Sequence, residues 1–379
     1  MIGRRSFALA LCCALVAALS FHTLPARAEP GAITVGQSIV LSGPQAANGL
    51  LYARGIKLQL DAVNAAGGVN GKPVRLVTLD DGYDPERCKE NTRRLIAQDK
   101  VVALFGYTGT GPTAACAPLA EAARVPLLAP LTGAPELRED TARYLFHTRA
   151  SYLDEMRKMV EYLTTVGVRD IAVVYQDDGF GRSGLRSAET VLAAYQLKPA
   201  AVGSIPPQTY DPAQAVAALG SRAPGAVILA TAGQASVNFI RAYLKSGKRT
   251  QFFGLSVVSS NQLLKELGQD TDGVVISQVV PSPWSQSTQV VRDFQRDAAA
   301  AKDVEVNHTT LEGYIAARVL VEGLRRAGPD PSPEKLTQAL ENLHSLNLGG
   351  YEVGFGPGRR AGSRYVDLSL VRGSGRYVQ

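Results

Sequence analysis

The chain has 379 residues, 45% hydrophobic and 20% charged, a balance that suits a folded protein of two middling domains. Its formal charge of +6 includes Arg4, Arg5 and Arg27 of an N-terminal leader, which leaves +3 with no basic block and no acidic tail. That distribution argues against a nucleic-acid-binding function.

The leader opens the chain. In "MIGRRSFALALCCALVAALSFHTLPARAEPG" two arginines precede an apolar run from Phe7 to Phe21, and Ala26-Arg27-Ala28 supplies a small-residue cleavage site. Residues 1–28 are therefore expected to be a signal peptide, cut after Ala28. The apolar run falls short of the ~20 residues that span a bilayer, and no later stretch reaches that length. "RRSF" resembles a twin-arginine signal, so the export route stays open. Cys12 and Cys13 lack the small residue that a lipoprotein site places before its cysteine. A freely soluble periplasmic protein is expected. Its mature part keeps Cys88 and Cys116, both expected in the first turns of neighbouring helices. Whether they are bridged stays open, because spacing does not fix geometry.

After the leader, apolar runs alternate with amphipathic ones. "AITVGQSIVLSG" reads as a buried strand and "GLLYARGIKLQLDAVNAAGG" as a helix with an apolar stripe. "PVRLVTLDD" is a strand. "DPERCKENTRRLIAQD" is a helix with Asp84 as N-cap and Pro85 in the first position, where its missing N–H costs nothing. "KVVALFG" and "VPLLAPLTG" are strands around a helix that starts near Pro112.

The pattern then restarts. Leu153, Met156, Val160 and Leu163 share one helical face, and the two methionines read as core. "DIAVVYQDDGFGRSG", "AAVGSIP", "GAVILATAG", "TQFFGLS" and "DGVVISQVV" are strand ends separated by helical stretches. Asp211-Pro212 and Ser332-Pro333 repeat the cap-plus-proline start. Helical runs near Thr288–Ala301, Thr309–Ala327 and Pro333–Leu343 follow, then strand-like pieces at Tyr351–Phe355 and Val366–Arg372. The fold class is α/β, with two doubly wound Rossmann-like lobes whose parallel sheets are covered on both faces. A ligand site is expected between them, outside the carboxyl ends of the strands.

The turn "FGYTGTGPT" is the focus of that expectation. Its spacing, Gly106-x-x-Gly109-x-Gly111, runs opposite to a dinucleotide fingerprint, and neither a ribose-binding acid nor a phosphate-loop lysine accompanies it. What remains is an array of amides at a helix N-terminus with the hydroxyls of Thr108, Thr110 and Thr113, suited to a carboxylate or carbonyl oxygen. A tight turn whose threonines merely cap the helix is the alternative. His147, His308 and His344 have no metal-ligand spacing and read as surface or capping residues. No nucleophile elbow occurs. Asp80-Asp81 and Asp177-Asp178 follow strands, where aspartate commonly turns or caps the chain, and Asp178 or Asp81 is better suited to closing a cleft than to catalysis. No cofactor and no metal are expected. Tyr107, Tyr152, Phe180 and Trp284 stand at strand or lobe boundaries; Tyr107 and Phe180 are the candidate apolar walls.

These segments, "ITVGQSIVLSGPQAANG", "NAAGGVNGKPVRLVTLDDGYDP", "FGYTGTGPT" with "VPLLAPLTGAPEL", and "IAVVYQDDGFGRSG", resemble in order the leucine/isoleucine/valine-binding protein family, the extracytoplasmic receptors of branched-chain amino-acid ABC transporters. The resemblance implies the type I periplasmic-binding-protein fold, two lobes joined by three crossovers and closing on ligand by hinge motion. Lobe one would take residues 29–147 and 280–349, and lobe two 148–279 and 350–379. By position, Thr110 matches the hydroxyl residue used for the ligand carboxylate, Thr132 and Gly133 the neighbouring contact, and Phe180 an aromatic of lobe two. Two departures bear on the ligand. Ser256 stands where amino-acid receptors place the carboxylate that grips the ligand's ammonium, and Asn48 where they place an aromatic. An amino acid, amide or carboxylate is expected as cargo, with an amine-free compound fitting the residues better, because a buried ammonium needs a charged partner. On this mapping Ser256→Glu should strengthen amino-acid binding. The implied partners are the small-molecule ligand and an ABC-transporter permease, with no nucleic acid, and the protein is expected to be a monomer. The alternative is a ligand-sensing regulatory module of the same fold; an enzyme on this scaffold has no assembled nucleophile, metal cluster or cofactor loop to support it.

Overall fold

Two parallel sheets with the same strand order organise the chain. The computed structural model describes residues 31–138, 142–373 and 377–378; the expected leader lies outside the described residues. Lobe one begins with β1 (Ile33–Ile39), α1 (Ala46–Ala65), β2 (Val74–Asp80), α2 (Pro85–Ala97), β3 (Ala103–Phe105), α3 (Thr110–Ala123), β4 (Leu127–Leu128) and β5 (Leu145–Phe146). Its sheet runs β2-β1-β3-β4-β5, all parallel. Lobe two follows with α4 (Tyr152–Thr165), β6 (Ile171–Gln176), α5 (Gly179–Ala194), β7 (Val202–Ile205), α6 (Ala213–Ala218), β8 (Ala226–Ala230), α7 (Gln234–Lys245), β9 (Gln251–Gly254), α8 (Ser260–Leu267) and β10 (Val275–Gln278). The chain returns to lobe one for α9 (Gln289–Ala301), α10 (His308–Ala327), α11 (Pro333–Glu341) and the small hairpin β11 (Leu346–Asn347) and β12 (Glu352–Val353). It ends in lobe two with β13 (Asp367–Val371) and β14 (Tyr377–Val378), which extend the order β7-β6-β8-β9-β10 on the β10 side as antiparallel strands.

Local chemistry explains the starts. Asp84 caps α2 by accepting from the amides of Glu86 and Arg87, ahead of Pro85. Ser332 caps α11 through the Lys335 amide, again ahead of a proline. Met156, Val160 and Leu163 are fully buried, with Leu153 packed at the margin of the same core. Each sheet has apolar clusters on both faces, as the near-continuous Val/Ile/Leu runs of β6, β8 and β10 demand. Helices α1 and α10 come close enough that a Cβ on Gly55 would overlap the Thr310 carbonyl, and one on Gly313 the Tyr52 carbonyl.

The chain passes between lobes three times, and the third passage falls later than residue 349. Tyr351, Val353 and Phe355 belong to the lobe-one core, and β12 pairs with β11, so the return to lobe two follows Ala361, which bridges to His147. Because a tight two-stranded hairpin keeps its second strand beside its first, the hydrophobic run after Gly350 stays with lobe one. The passages are tied together: the Tyr351 hydroxyl lies 3.0 Å from both the Thr148 and the Val279 carbonyl.

Two histidines expected at the surface or as caps are buried. The His147 amide donates to the Arg360 carbonyl and its Nε2 lies 2.8 Å from the Leu137 carbonyl, within the first passage. His308 opens α10 under the edge of the Trp284 ring. Burial holds both rings well below the usual imidazole range, with His308 pushed down to about 3. Among the described residues no helix is long and apolar enough to cross a membrane, and no cluster of His, Cys, Asp or Glu has metal-holding geometry.

Candidate functional site

In a sheet of order 2-1-3-4-5 the connections leave the first and third strands on opposite sides, and a crevice opens at their carboxyl ends. Both lobes have this order. One cavity is lined from both crevices: Val40 after β1, Thr108, Gly109 and Thr110 after β3, Phe180 after β6, Ala232 after β8 and Val257 after β9. Larger grooves exist, such as the one between α1 and β2 lined by Leu50, Arg54, Lys57 and Thr78, but it belongs to one lobe alone.

The lobe-one wall is a set of backbone amides with hydroxyls beside them. Gly109, at φ 87°, turns the chain from β3 into α3 and has no side chain to cap the helix. The first amides of α3, those of Thr110 and Gly111, therefore have no partner within the helix. Pro112 follows, with no N–H to satisfy. The Thr110 and Thr132 hydroxyls lie 2.7 Å apart, and Thr132 Oγ1 also accepts from the Ala134 amide at 3.2 Å. Thr108 Oγ1 accepts from the Val40 amide at 3.0 Å, which leaves its own proton to donate elsewhere. All three threonines are buried. Aligned amides at a helix N-terminus favour an anion.

The lobe-two wall is apolar. Phe180 meets Tyr152 edge-on with ring centroids 5.6 Å apart, and Ala232 and Val257 complete the surface. Asp178 caps α5, its Oδ1 accepting from the Gly181 amide, while Oδ2 faces Gln176 Nε2 and the Tyr83 hydroxyl of lobe one at 3.4 Å. Burial lifts the Asp178 carboxyl above its usual range, with these hydrogen bonds pulling the other way.

Further contacts hold the lobes together around the cavity. The Asn48 amide group donates to the Val257 carbonyl, and Gln45 Nε2 lies 3.3 Å from both Gln176 Oε1 and the Tyr210 hydroxyl. Glu136 accepts from Ser183 at 2.8 Å and pairs with Arg186 at 2.7 Å. A Cβ on Gly179 would lie 3.6 Å from the Gly111 Cα, so the N-termini of α3 and α5 approach backbone to backbone.

The structure brings Thr108, Thr110, Asn48 and Phe180 to the cavity, with Thr132 behind Thr110. Gly133 is one step removed: a Cβ there would sit 2.5 Å from the Tyr152 ring, and its carbonyl accepts from the Tyr152 amide at 2.7 Å. Its bareness lets Tyr152 reach the wall. Tyr107 is not at the cavity. It turns into the core between α2 and α3, its hydroxyl 2.9 Å from Thr92 Oγ1, because successive residues of an extended segment point to opposite sides and Thr108 takes the cleft side. Ser256 is turned aside by the tight turn after β9, which the Val258 amide closes on the Leu255 carbonyl. Val257 faces the cavity while Ser256 hydrogen-bonds Arg149, and the Ser256 amide donates to Glu155 Oε2 at 2.8 Å. A glutamate at 256 would thus meet the guanidinium of Arg149, so the expected gain in amino-acid binding from Ser256→Glu has no structural basis.

Gln45, Gly49, Tyr83, Leu131 and Tyr152 also line the cavity and were not singled out as site residues from sequence, although the loop "SGPQAANG" carries two of them. Trp284 is exposed, away from this cavity. Asp80 and Asp81 organise the turn after β2: Asp80 accepts from the Leu41 and Gly82 amides, and Asp81 from Ser38 Oγ and the Tyr83 amide. Cys88 and Cys116 stand as free thiols on the facing sides of α2 and α3, their Sγ atoms 2.8 Å apart in the core.

The sequence model of a family described as periplasmic binding protein matches residues 32–374. Leu/Ile/Val-binding protein homolog 7 of Brucella abortus is 30% identical over 361 residues, covering 90% of this chain and 88% of that protein. A substrate-binding periplasmic protein from Ralstonia solanacearum is 36% identical, with a TM-score of 0.86 over 92% of this chain and 99% of the other. A possible leucine/isoleucine/valine-binding protein from Rhodopirellula baltica is 27% identical, with a TM-score of 0.88 over 93% and 97% of the two chains.

Proposed function

The chain belongs to the periplasmic binding protein family, a family of solute-binding proteins rather than enzymes, and from that premise we propose that it is the soluble periplasmic receptor of an ABC importer. It captures a small amino acid, amide or carboxylate between its lobes and hands it, as a monomer, to a membrane permease. The leader of residues 1–28 directs export and is removed after Ala28.

One observation carries this reading: a single cavity lies on the strand-order reversals of both lobes, with anion-favouring amides on one wall and apolar side chains on the other. The ligand's carboxylate rests on the Thr110 amide and the Thr110 and Thr108 hydroxyls, and its hydrocarbon part on Phe180, Tyr152 and Val257. Closure desolvates these bonds and is completed by contacts such as Asn48 to Val257 and Tyr83 to Asp178. The three passages between lobes form the hinge.

The test pairs uptake with binding. Deleting the gene should abolish import of one small solute in intact cells. The purified mature protein should gain about 2.7 kcal/mol of stability at a hundred times that solute's dissociation constant. Unimpaired uptake of every solute that binds the protein would sink the transport reading.

A further inference from the structure

The polar groups of the cavity can be followed one by one. Gln45 spends its amide N–H on Gln176 and Tyr210, the Tyr83 hydroxyl faces Asp178, and Thr108 Oγ1 takes the Val40 amide. Asn48 differs. Its Nδ2 donates to the Val257 carbonyl, which fixes the orientation of the side-chain amide, and its Oδ1 is left buried with no hydrogen-bond partner in the protein. A buried acceptor without a partner is costly, so a group that donates to it is strongly favoured there.

That acceptor is neutral. Among the described residues, none of those lining the cavity is acidic. Asp178 lies behind Tyr83 with both oxygens engaged. The buried carboxylates of Glu155 and Glu312 are bound to Arg149, and Glu155 also accepts from the Ser256 amide and the Ser277 hydroxyl. An ammonium brought in beside Asn48 would have three N–H groups and a full charge to satisfy, against neutral oxygens only. A hydroxyl or a carboxamide N–H matches that oxygen in charge.

We propose that the ligand is a small carboxylate that carries no ammonium and whose second polar group is a neutral donor, a hydroxyl or carboxamide N–H, given to Asn48 Oδ1. This rests on the interlobe cavity being the solute site. The carboxylate occupies the amides at the start of α3, the neutral donor faces Asn48 from the α1 side, and the hydrocarbon part lies on Phe180, Tyr152 and Val257.

The experiment is calorimetric titration of the mature protein with matched triplets of one carbon skeleton: the 2-amino acid, the 2-hydroxy acid and the unsubstituted acid, for the valine, leucine and phenylalanine skeletons. Carboxamide acids of similar size complete the set. The expected result is that the preferred compound is a hydroxy or carboxamide acid, bound on the order of tenfold or more tighter than its amino counterpart. Asn48→Ala should erase its advantage over the unsubstituted acid. Asn48→Asp, which supplies the missing negative charge, should shift preference toward the amino acid. Tighter binding of an amino acid by the wild-type protein would overturn the proposal, and if Thr110→Val then weakened that binding the cavity would still be the solute site. Failure of every compound to bind, or binding indifferent to Thr110→Val and to both Asn48 variants while their circular dichroism stays native, would overturn the proposal together with the site assignment.

Discussion

Thr110 and Thr132 face each other hydroxyl to hydroxyl at 2.7 Å, joining the loop after β3 to the loop after β4. Two hydroxyls have two protons, and their mutual bond uses one. Thr132 Oγ1 also accepts from the Ala134 amide, and when it donates its own proton to Thr110, Thr110 stands at the cavity edge with a donor to spare. Thr110→Val keeps the shape and removes the donor. It should weaken binding of a carboxylate ligand by about 1.5–3 kcal/mol, the range for a hydrogen bond to a charged group, while Thr110→Ser restores most of it. Titration calorimetry of the three proteins checks this, and an equal loss in the serine variant would mean that the hydroxyl is not the contact.

Arg149, in the first passage between lobes, is buried against Glu155 of lobe two at 3.2 Å and Glu312 of lobe one at 3.3 Å. Replacing it by methionine strands two buried carboxylates, which should cost about 3–5 kcal/mol. Arg149→Met combined with Glu312→Gln and Glu155→Gln should recover part of that loss. Urea denaturation of the single and triple variants measures the difference; additive destabilisation would show that the ions do not compensate one another.

His308 and His147 set an acid dependence. Burial holds each below the usual imidazole value of 6.5, His308 to about 3, so below pH 6.5 the unfolded chain takes up protons that the native one refuses. Their contribution is present above pH 6.5 and is lost as pH falls toward 3. The raised carboxyls of Asp81, Asp178 and Glu312 act in the opposite sense, taking protons more readily in the native state. The melting midpoint should fall between pH 6.5 and 4, and more gently in His308→Asn. Parallel slopes in the two proteins would remove His308 from the account.

Cys88 and Cys116 are positioned for oxidation in an exported protein. We expect protein isolated from the periplasm to carry the bridge, lighter by two hydrogens, and reduction to lower its stability by roughly 3–4 kcal/mol for a loop of this length. Intact-mass spectrometry with and without reductant decides it; two alkylatable thiols in the unreduced chain, once denatured, would show that the pair stays reduced.

The alternating fold was legible because each element announces itself locally, as Asp84-Pro85 and Ser332-Pro333 do, and because buried parallel strands leave unbroken apolar runs such as "AVILA". The antiparallel direction of β13 was not, since direction depends on the route of a connection and not on the strand's own residues. At the site, the turn around Gly109 could be located, but not which side each of its residues faces. Ser256 lies in a tight turn where Val257 takes the cavity side, and Tyr107 is one position out of phase beside Thr108, which does face the cavity. A period of two makes an error of one residue a change of face. Tyr152 was legible only as one of four aromatics at strand or lobe boundaries, and the close packing against Gly133 brings it to the wall.

The most direct measurement is a crystal structure of the protein with the solute that binds it. The predicted result is a carboxylate within hydrogen-bonding distance of the Thr110 amide and the Thr110 hydroxyl, with Phe180 and Tyr152 against the hydrocarbon part. A solute seated on the outer face of one lobe, or one that presents a group other than its carboxylate to the start of α3, would contradict the account.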